Sequence, residues 1–278
     1  MTARRIRYLK SQVLEDPSRS SVEIAKLMEK SSFQSISAPS VRRYLNKLGL
    51  RSYRARHKPF LYKKMMQKRK TWCKERLDLP KEYWRNVLFS DESMFTINMS
   101  SIMNRVRRYS FADALRPNLV KKTIKFPLKI MVWGCFHYNG VGRLAIIDGT
   151  MNSSKYIETL ERYCIPSLNE MPGIDEKYLI DDSAPCHRSQ IVKKFKDENG
   201  INCIDWPDNS PDLNPIENLW GLMIRKLARK TIRNKRELIE AVLKIWREFD
   251  ASVLKNLIDS MPSRINDVFQ KKGGNSKY

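Results

Sequence analysis

Residues 178–220 read YLIDDSAPCHRSQIVKKFKDENGINCIDWPDNSPDLNPIENLW. The stretch opens on YLI, a short apolar run of strand type, and Asp181 and Asp182 close it. Residues 188–198 carry a helical pattern, and residues 201–204 read as a second short strand. A proline-rich turn follows, in which neither a regular helix nor a central strand can form, because proline lacks the backbone donor. Asn214 is then a good helix cap, Pro215 suits the first helical position, and Glu217 falls in the first turn. Strand, helix, strand, loop and helix in succession predict an α/β layer fold.

The residues upstream extend the pattern. NVLFS at 86–90 reads as a buried strand with Asp91 at its end, and 94–98 as a second strand. KIMVWGCF at 129–136 is a third, broken by Gly134, and 142–148 a fourth, followed by a helix at 154–166. Helices dominate from Pro215, and the amphipathic region 231–261 is expected to cover the sheet. A run of strands followed by alternating strands and helices makes the sheet mixed.

Aspartates at neighbouring strand ends call for a cause. One alone is ordinary turn chemistry. Two converging in a basic protein fit hard divalent cations, which take oxygen ligands and whose charge offsets carboxylate repulsion. A pair of such ions aligns attacking and leaving oxygens for in-line displacement at phosphorus. For Glu217 two readings stand side by side. It completes such a site, or it closes an Asn-x-x-Glu capping box on the backbone N–H of Asn214.

Charge supports a polyanionic partner. The 278 residues hold 53 Lys+Arg against 30 Asp+Glu, a net charge of +23. Residues 1–80 alone hold 21 basic and 6 acidic side chains, so most of the excess lies in under a third of the chain. That distribution is the footprint of a DNA-binding arm on a more balanced body. A membrane-spanning helix is not expected, since there is no run of about 18 apolar residues, nor is there a secretory signal core. Binding to an anionic membrane surface is set behind nucleic acid because the basic segment lacks a strongly amphipathic lipid-facing helix. The five cysteines show no CxxC spacing, which disfavours a zinc site or disulfide framework and fits a reducing compartment.

Within the arm, residues 3–16 read as a helix with Ile6, Leu9, Val13 and Leu14 inward. A turn at Asp16-Pro17-Ser18 precedes a second helix, capped by Ser21 and running to Lys30, with Ile24, Leu27 and Met28 inward. A third begins near Pro39 and ends at Gly49, with apolar positions at Val41, Tyr44, Leu45 and Leu48. Three such helices suggest a helix-turn-helix whose third member presents Ser37, Ser40, Arg42 and Arg43 to DNA. Arg51, Arg54, Arg56 and Lys58 then punctuate an extended linker suited to tracking a backbone, ahead of a basic helix at 61–77. The domains so read are 1–50, a linker and helix at 51–80, and a catalytic body at 81–278.

The runs VLFSDESMF, IMVWGCF, YLIDDSAPCH and SPDLNPIENLW resemble, in order, the Tc branch of mariner-type DDE transposases, with 34 residues between Asp182 and Glu217. The ending KKGGNSKY is also similar to the family's. The resemblance implies an RNase H-like core, a mixed sheet flanked by helices, preceded by a small all-α helix-turn-helix domain. Its triad maps onto Asp91, Asp182 and Glu217 as catalytic and metal-holding residues. Asp181 and Glu92 are neighbours of the triad. Ser183 stands where the family usually has Asn. The implied activity is Mg²⁺- or Mn²⁺-dependent cleavage at transposon ends and strand transfer into TA targets, with two ions, in the nucleus. Implied partners are double-stranded DNA, as terminal repeats and target, and a second copy of the chain, through residues 99–128. Against the family pattern the chain starts at what looks like the second of two helix-turn-helix units. A domesticated or inactive DNA-binding protein is the alternative. His187 is read as a local hydrogen-bonding residue, Cys186 as packing, and Trp133, Trp206 and Trp220 as core.

Overall fold

A computed structural model describes residues 2–31, 35–53, 58–96, 128–172 and 176–278. Arg54, Arg56 and nearly all of the 99–128 segment lie outside the described residues. Contacts divide the chain into two compact units, Met1–Lys58 and Pro59–Tyr278.

In the first unit, α1 (Ala3–Glu15), α2 (Ser21–Lys30) and α3 (Ala38–Lys47) close on a small core of Leu9, Ile24, Met28 and Val41. Asp16 accepts from the amide and hydroxyl of Ser18, which turns the chain after α1. The cap of α2 is Ser20 and not Ser21. Its hydroxyl accepts from the Glu23 amide while the Glu23 carboxylate accepts from the Ser20 amide, a reciprocal box that fixes the start one residue earlier. Leu14 is also not inward; it is 68% exposed at the end of α1. Helix α3 ends as glycine chemistry requires. Gly49 takes φ +77°, its amide reaches Asn46 O, and the Leu50 amide reaches Leu45 O.

The second unit opens with α4 (Lys63–Lys74) and a short α5 (Lys81–Arg85). Its sheet comprises β1 (Val87–Thr96), β2 (Lys129–His137), β3 (Gly140–Ile147), β4 (Tyr178–Ile180) and β5 (Asn202–Cys203), in the order β3-β2-β1-β4-β5. The first three strands form an antiparallel meander; β4 and β5 join parallel to β1. Parallel strands need crossovers. Between β3 and β4 the crossover is a continuous helical stretch: α6 (Ser153–Thr159), a π-helical turn (Leu160–Cys164) and α7 (Ile165–Glu170). Between β4 and β5 it is α8 (Gln190–Glu198). Then α9 (Ile216–Leu227), α10 (Lys235–Arg247), α11 (Ala251–Asp259) and α12 (Met261–Gln270) complete the unit.

Strand alternation sorts the side chains into two layers. Phe89 and Phe95 of β1, with Val132 and Phe136 of β2, pack under α4, α5 and α9–α12. Leu88 of β1, Trp133 and Cys135 of β2, and Leu179 of β4 pack under α6–α8. This is the RNase H-like arrangement, preceded by an all-α unit.

Two strand expectations are corrected. Residues 87–96 are one strand, so Asp91 is mid-strand, paired with Gly134, and not at a strand end. Nor does Gly134 break β2. Pairing with β1 runs straight through it, with a register shift on the β3 side only, between Gly134 and Phe136, and a Cβ there would lie 2.8 Å from the Trp220 ring. The glycine is a seat for that indole.

Candidate active site

Asp91 and Glu92 are adjacent in β1 and therefore point to opposite faces of the sheet. Asp91 faces α9, where the indole Nε1 of Trp220 donates to its Oδ2 at 3.2 Å. Trp220 is held in turn by stacking on Trp246, centroids 5.2 Å apart. Asp182 follows β4, and Glu217 stands in the first turn of α9. The three carboxylates line one cleft of about 440 Å³, with Arg188, Trp206 and Asn214 on its wall.

Asn214 anchors the start of α9. Its side-chain amide donates to Ser90 O at 3.0 Å and its Oδ1 accepts from the Ile216 amide at 3.3 Å. The capping-box reading of Glu217 fails here. The Asn214 amide donates to Pro211 O, and α9 carries no side-chain capping bond to its N-cap. Glu217 is left facing the cleft.

The carboxylates differ in their proton affinity. Burial pushes Asp91 well above the usual carboxylate range, and the negative charges of Glu217, Glu92 and Asp182 push it further. Burial also raises Glu217. Asp182 goes the other way. Burial opposes its charge, but hydrogen bonds from His187 and the Ala184 amide outweigh that and lower its pKa.

The other face of β1 holds a cationic clamp. His187 Nδ1 lies 2.7 Å from Asp182 Oδ1, and its Nε2 lies 3.4 Å from Glu92 Oε1. The second contact is an ion pair without hydrogen-bond alignment, since both atoms are buried with no other partner. Burial disfavours the imidazolium, yet the hydrogen bond to Asp182 and the pairing with Glu92 prevail and raise its pKa to about 11. Tyr156 stacks on the His187 ring at 3.8 Å and donates to Asp181 Oδ2 at 2.7 Å. Lys196 pairs with the same oxygen, so Asp181 is already satisfied. Glu92, Asp182 and His187 also present one ligand atom each within 4.8 Å of one another.

The expected triad thus gathers in one cleft, while Asp181 turns away into the α6–α8 layer. His187 makes local bonds, and Trp133, Trp206 and Trp220 are buried. Ser183 donates to Trp206 O at 3.0 Å, tying the β4 turn to the proline-rich loop. Unforeseen in the sequence were the pairing of Glu92 with His187 and the bond from Trp220 to Asp91. Strand alternation at 91–92 was the available signal for the first. In the all-α unit, Ser37, Arg42, Arg43 and Arg51 are exposed, Ser40 and Lys58 half-buried. The Ser37 hydroxyl donates to that of Ser40 at 3.1 Å, and Arg42 lies 3.5 Å from the Ser21 hydroxyl.

An RNase H-like sheet with three carboxylates in one cleft, preceded in the chain by a helix-turn-helix unit, defines a nuclease-type DNA-processing class. Comparison with known proteins narrows it. Residues 86–239 match the family described as DDE superfamily endonuclease, and residues 6–78 match a helix-turn-helix family described as transposase. The chain is 31% identical over 265 residues to the Transposable element Tcb2 transposase of Caenorhabditis briggsae, covering 95% of this chain and 96% of the relative. The same identity and coverage hold for the Transposable element Tc1 transposase of Caenorhabditis elegans. Among solved structures, a Mos1 transposase paired-end complex with left transposon end superposes with TM-score 0.78 at 19% identity, covering 100% of this chain and 82% of that one. The Mos1 mariner transposase catalytic domain superposes at 0.63 with 17% identity, covering 80% and 100%. The chain belongs to the DDE superfamily endonucleases, in the Tc branch of the mariner-type transposases, and its function is DNA transposition.

Proposed function

We propose that Asp91, Asp182 and Glu217 hold two divalent ions, Mg²⁺ or Mn²⁺, for cleavage at transposon ends and strand transfer into TA target sites. The observation that carries the reading is Asp91. It is a mid-sheet carboxylate that accepts from a neutral indole and whose neighbours Glu217, Glu92 and Asp182 are all acidic. An all-oxygen donor set with excess negative charge fits a hard cation. Bound ions would supply nucleophile activation and charge stabilisation on the leaving oxygen. The protein's own part is positional. Trp220 orients Asp91, His187 orients Asp182, and Asn214 fixes the helix turn that presents Glu217.

The all-α unit is proposed to bind the terminal repeats through α3 and the basic linker, and a second copy of the chain to bring two ends together. The nucleus follows as the place of action, because chromosomal DNA is the substrate of the reaction.

The test uses a pre-cleaved transposon-end duplex and supercoiled plasmid with Mg²⁺ or Mn²⁺, beside Glu217→Gln. Metal-dependent strand transfer that is lost in the variant is expected. Tight DNA binding without any metal-dependent product from the parent chain would instead favour a protein that only binds DNA.

A further inference from the structure

The loop that presents Glu217 is held from outside the cleft by an ionic lock. Arg69 of α4 is fully buried, and its guanidinium meets Asp212 through two bonds of 2.9 Å. Its other donors reach Ser210 Oγ at 2.7 Å, Asn209 O at 3.3 Å, Gly273 O at 2.9 Å and Gly274 O at 3.3 Å. The guanidinium therefore joins the proline-rich loop to residues 273–278. That segment also bonds the loop directly, because the Ser276 amide donates to Asp212 Oδ2 at 2.7 Å. From α12, Arg264 donates to Asp212 O at 2.9 Å and to Asn218 Oδ1 at 2.6 Å.

The terminal segment is shaped for this place. Gly273 takes φ +86°, and a Cβ there would fall 1.9 Å from Met66 O of α4. Gly273 and Ser276 are buried, and Asn275 donates to Pro59 O at 3.1 Å. Without residues 273–278, Arg69 would lose two carbonyl acceptors and Asp212 one amide donor, leaving charged groups under-bonded where water is scarce.

We propose that residues 273–278 are a positioning element of the active site. They keep Asp212 in place, and Asp212 sets the loop at 206–214 from which α9 and Glu217 follow. The proposal rests on the reading of Glu217 as a metal-holding residue, but its structural half is measurable without it.

The full chain carrying Gly273→Ala is compared with the parent and with Gln270→Ala, an exposed neighbour. Ser276→Pro, which removes the amide donor to Asp212, serves as the milder second variant. Hydrogen exchange is followed at 207–217 and in β1 and β2, and strand transfer is titrated with Mg²⁺. The expected result is faster exchange at 207–217 with β1 and β2 protected as in the parent. The half-saturating Mg²⁺ concentration should rise about tenfold, the lower range for loss of an outer support of a metal ligand. Native exchange at 207–217 with unchanged Mg²⁺ dependence in a folded variant would overturn the proposal. So would global loss of β1 and β2 protection in both variants, which would make the segment a general stability element. A fully active Glu217→Gln chain would sink the metal-ligand reading alone, leaving the exchange result to decide the clasp.

Discussion

Gly134 stands opposite Asp91 in the β1–β2 ladder, and the space above it is filled by the Trp220 ring that donates to Asp91. One glycine thus sets the height of an indole over a buried carboxylate. Gly134→Ala places a Cβ 2.8 Å from that ring and 3.3 Å from Trp246, both in the core. The stacked pair must shift, at a cost of about 1–3 kcal/mol for overpacking. Turnover is expected to fall about tenfold with Asp91 less firmly held. Denaturant midpoints and strand-transfer rates check both. A variant with parental turnover would show that the indole does not position Asp91.

On the proposed metal-holding role, Asp91 would give up stability for function. Its folded pKa lies above its unfolded value, so the folded chain favours the protonated form. Stability from this group is present at low pH and is lost as pH rises through the folded pKa. Asp91→Asn is therefore expected to stabilise the metal-free protein at neutral pH while removing strand transfer. Added Mg²⁺ or Mn²⁺ should raise the melting temperature of the parent and not of the variant. Equal metal-induced shifts in both would place the cation elsewhere.

His187 gives a second pH signature in the metal-free protein. Its folded pKa is raised to about 11, so its contribution is fully present below the unfolded value near 6.5 and is lost as pH rises through 11. Its ring signals are expected to show no titration between pH 6 and 9. His187→Ala leaves Glu92 facing an empty pocket, and activity should fall about 10–100-fold. A midpoint near 6.5 by NMR would mean that the contacts to Asp182 and Glu92 do not hold the charge.

Which parts of this were legible depended on the range of the interaction. YLI, the 188–198 helix and the Asn214-Pro215 helix start are written in local signals: apolar runs, caps and proline. The three carboxylates that share the cleft could be picked out because they sit in recognisable runs. What escaped depended on contacts across the chain. Gly134 read as a strand breaker because its reason, Trp220, lies 86 positions later in the sequence. Asp91 read as a strand end because the polar residues SDES look like a turn, yet pairing with β2 carries the strand through them. Arg69 lies within the basic helix read at 61–77, where nothing local marks it off, and only the fold shows it to be buried against Asp212.

That buried pair contributes to the acid sensitivity of the second unit. Burial opposes the charge on Asp212, but the hydrogen bonds and charge of Arg69 prevail, with the Ser276 amide, and lower its pKa. Its stabilisation is present above the unfolded value near 3.8 and is lost as pH falls through the lower folded value. Removing either partner leaves an unpaired buried charge. Arg69→Met or Asp212→Ala alone should cost about 3–5 kcal/mol, with the double replacement costing less than the sum. Urea unfolding of the four chains measures the coupling; strict additivity would dissolve the lock.

The arginines of α3 can be told apart by how DNA binding responds to the loss of each. Arg42 and Arg43 are both exposed, whereas Ser37 and Ser40 bond each other and close the helix start. The arginines are therefore the better candidates for DNA contact. A phosphate contact and a base contact leave different traces. Losing a phosphate contact weakens binding to every duplex alike and makes the log–log salt slope shallower by about 0.9. Losing a bidentate base contact preserves most of that slope but erases about 1–3 kcal/mol of preference for one base pair. Arg42 already leans toward α2, 3.5 Å from the Ser21 hydroxyl, so its reach is set by that helix. Arg42→Ala is accordingly expected to show the salt-slope change and Arg43→Ala the loss of preference. Titrations of a terminal-repeat duplex and a scrambled duplex at several salt concentrations separate the two. Affinities unchanged by both substitutions would move the contact from α3 to the basic linker that follows it.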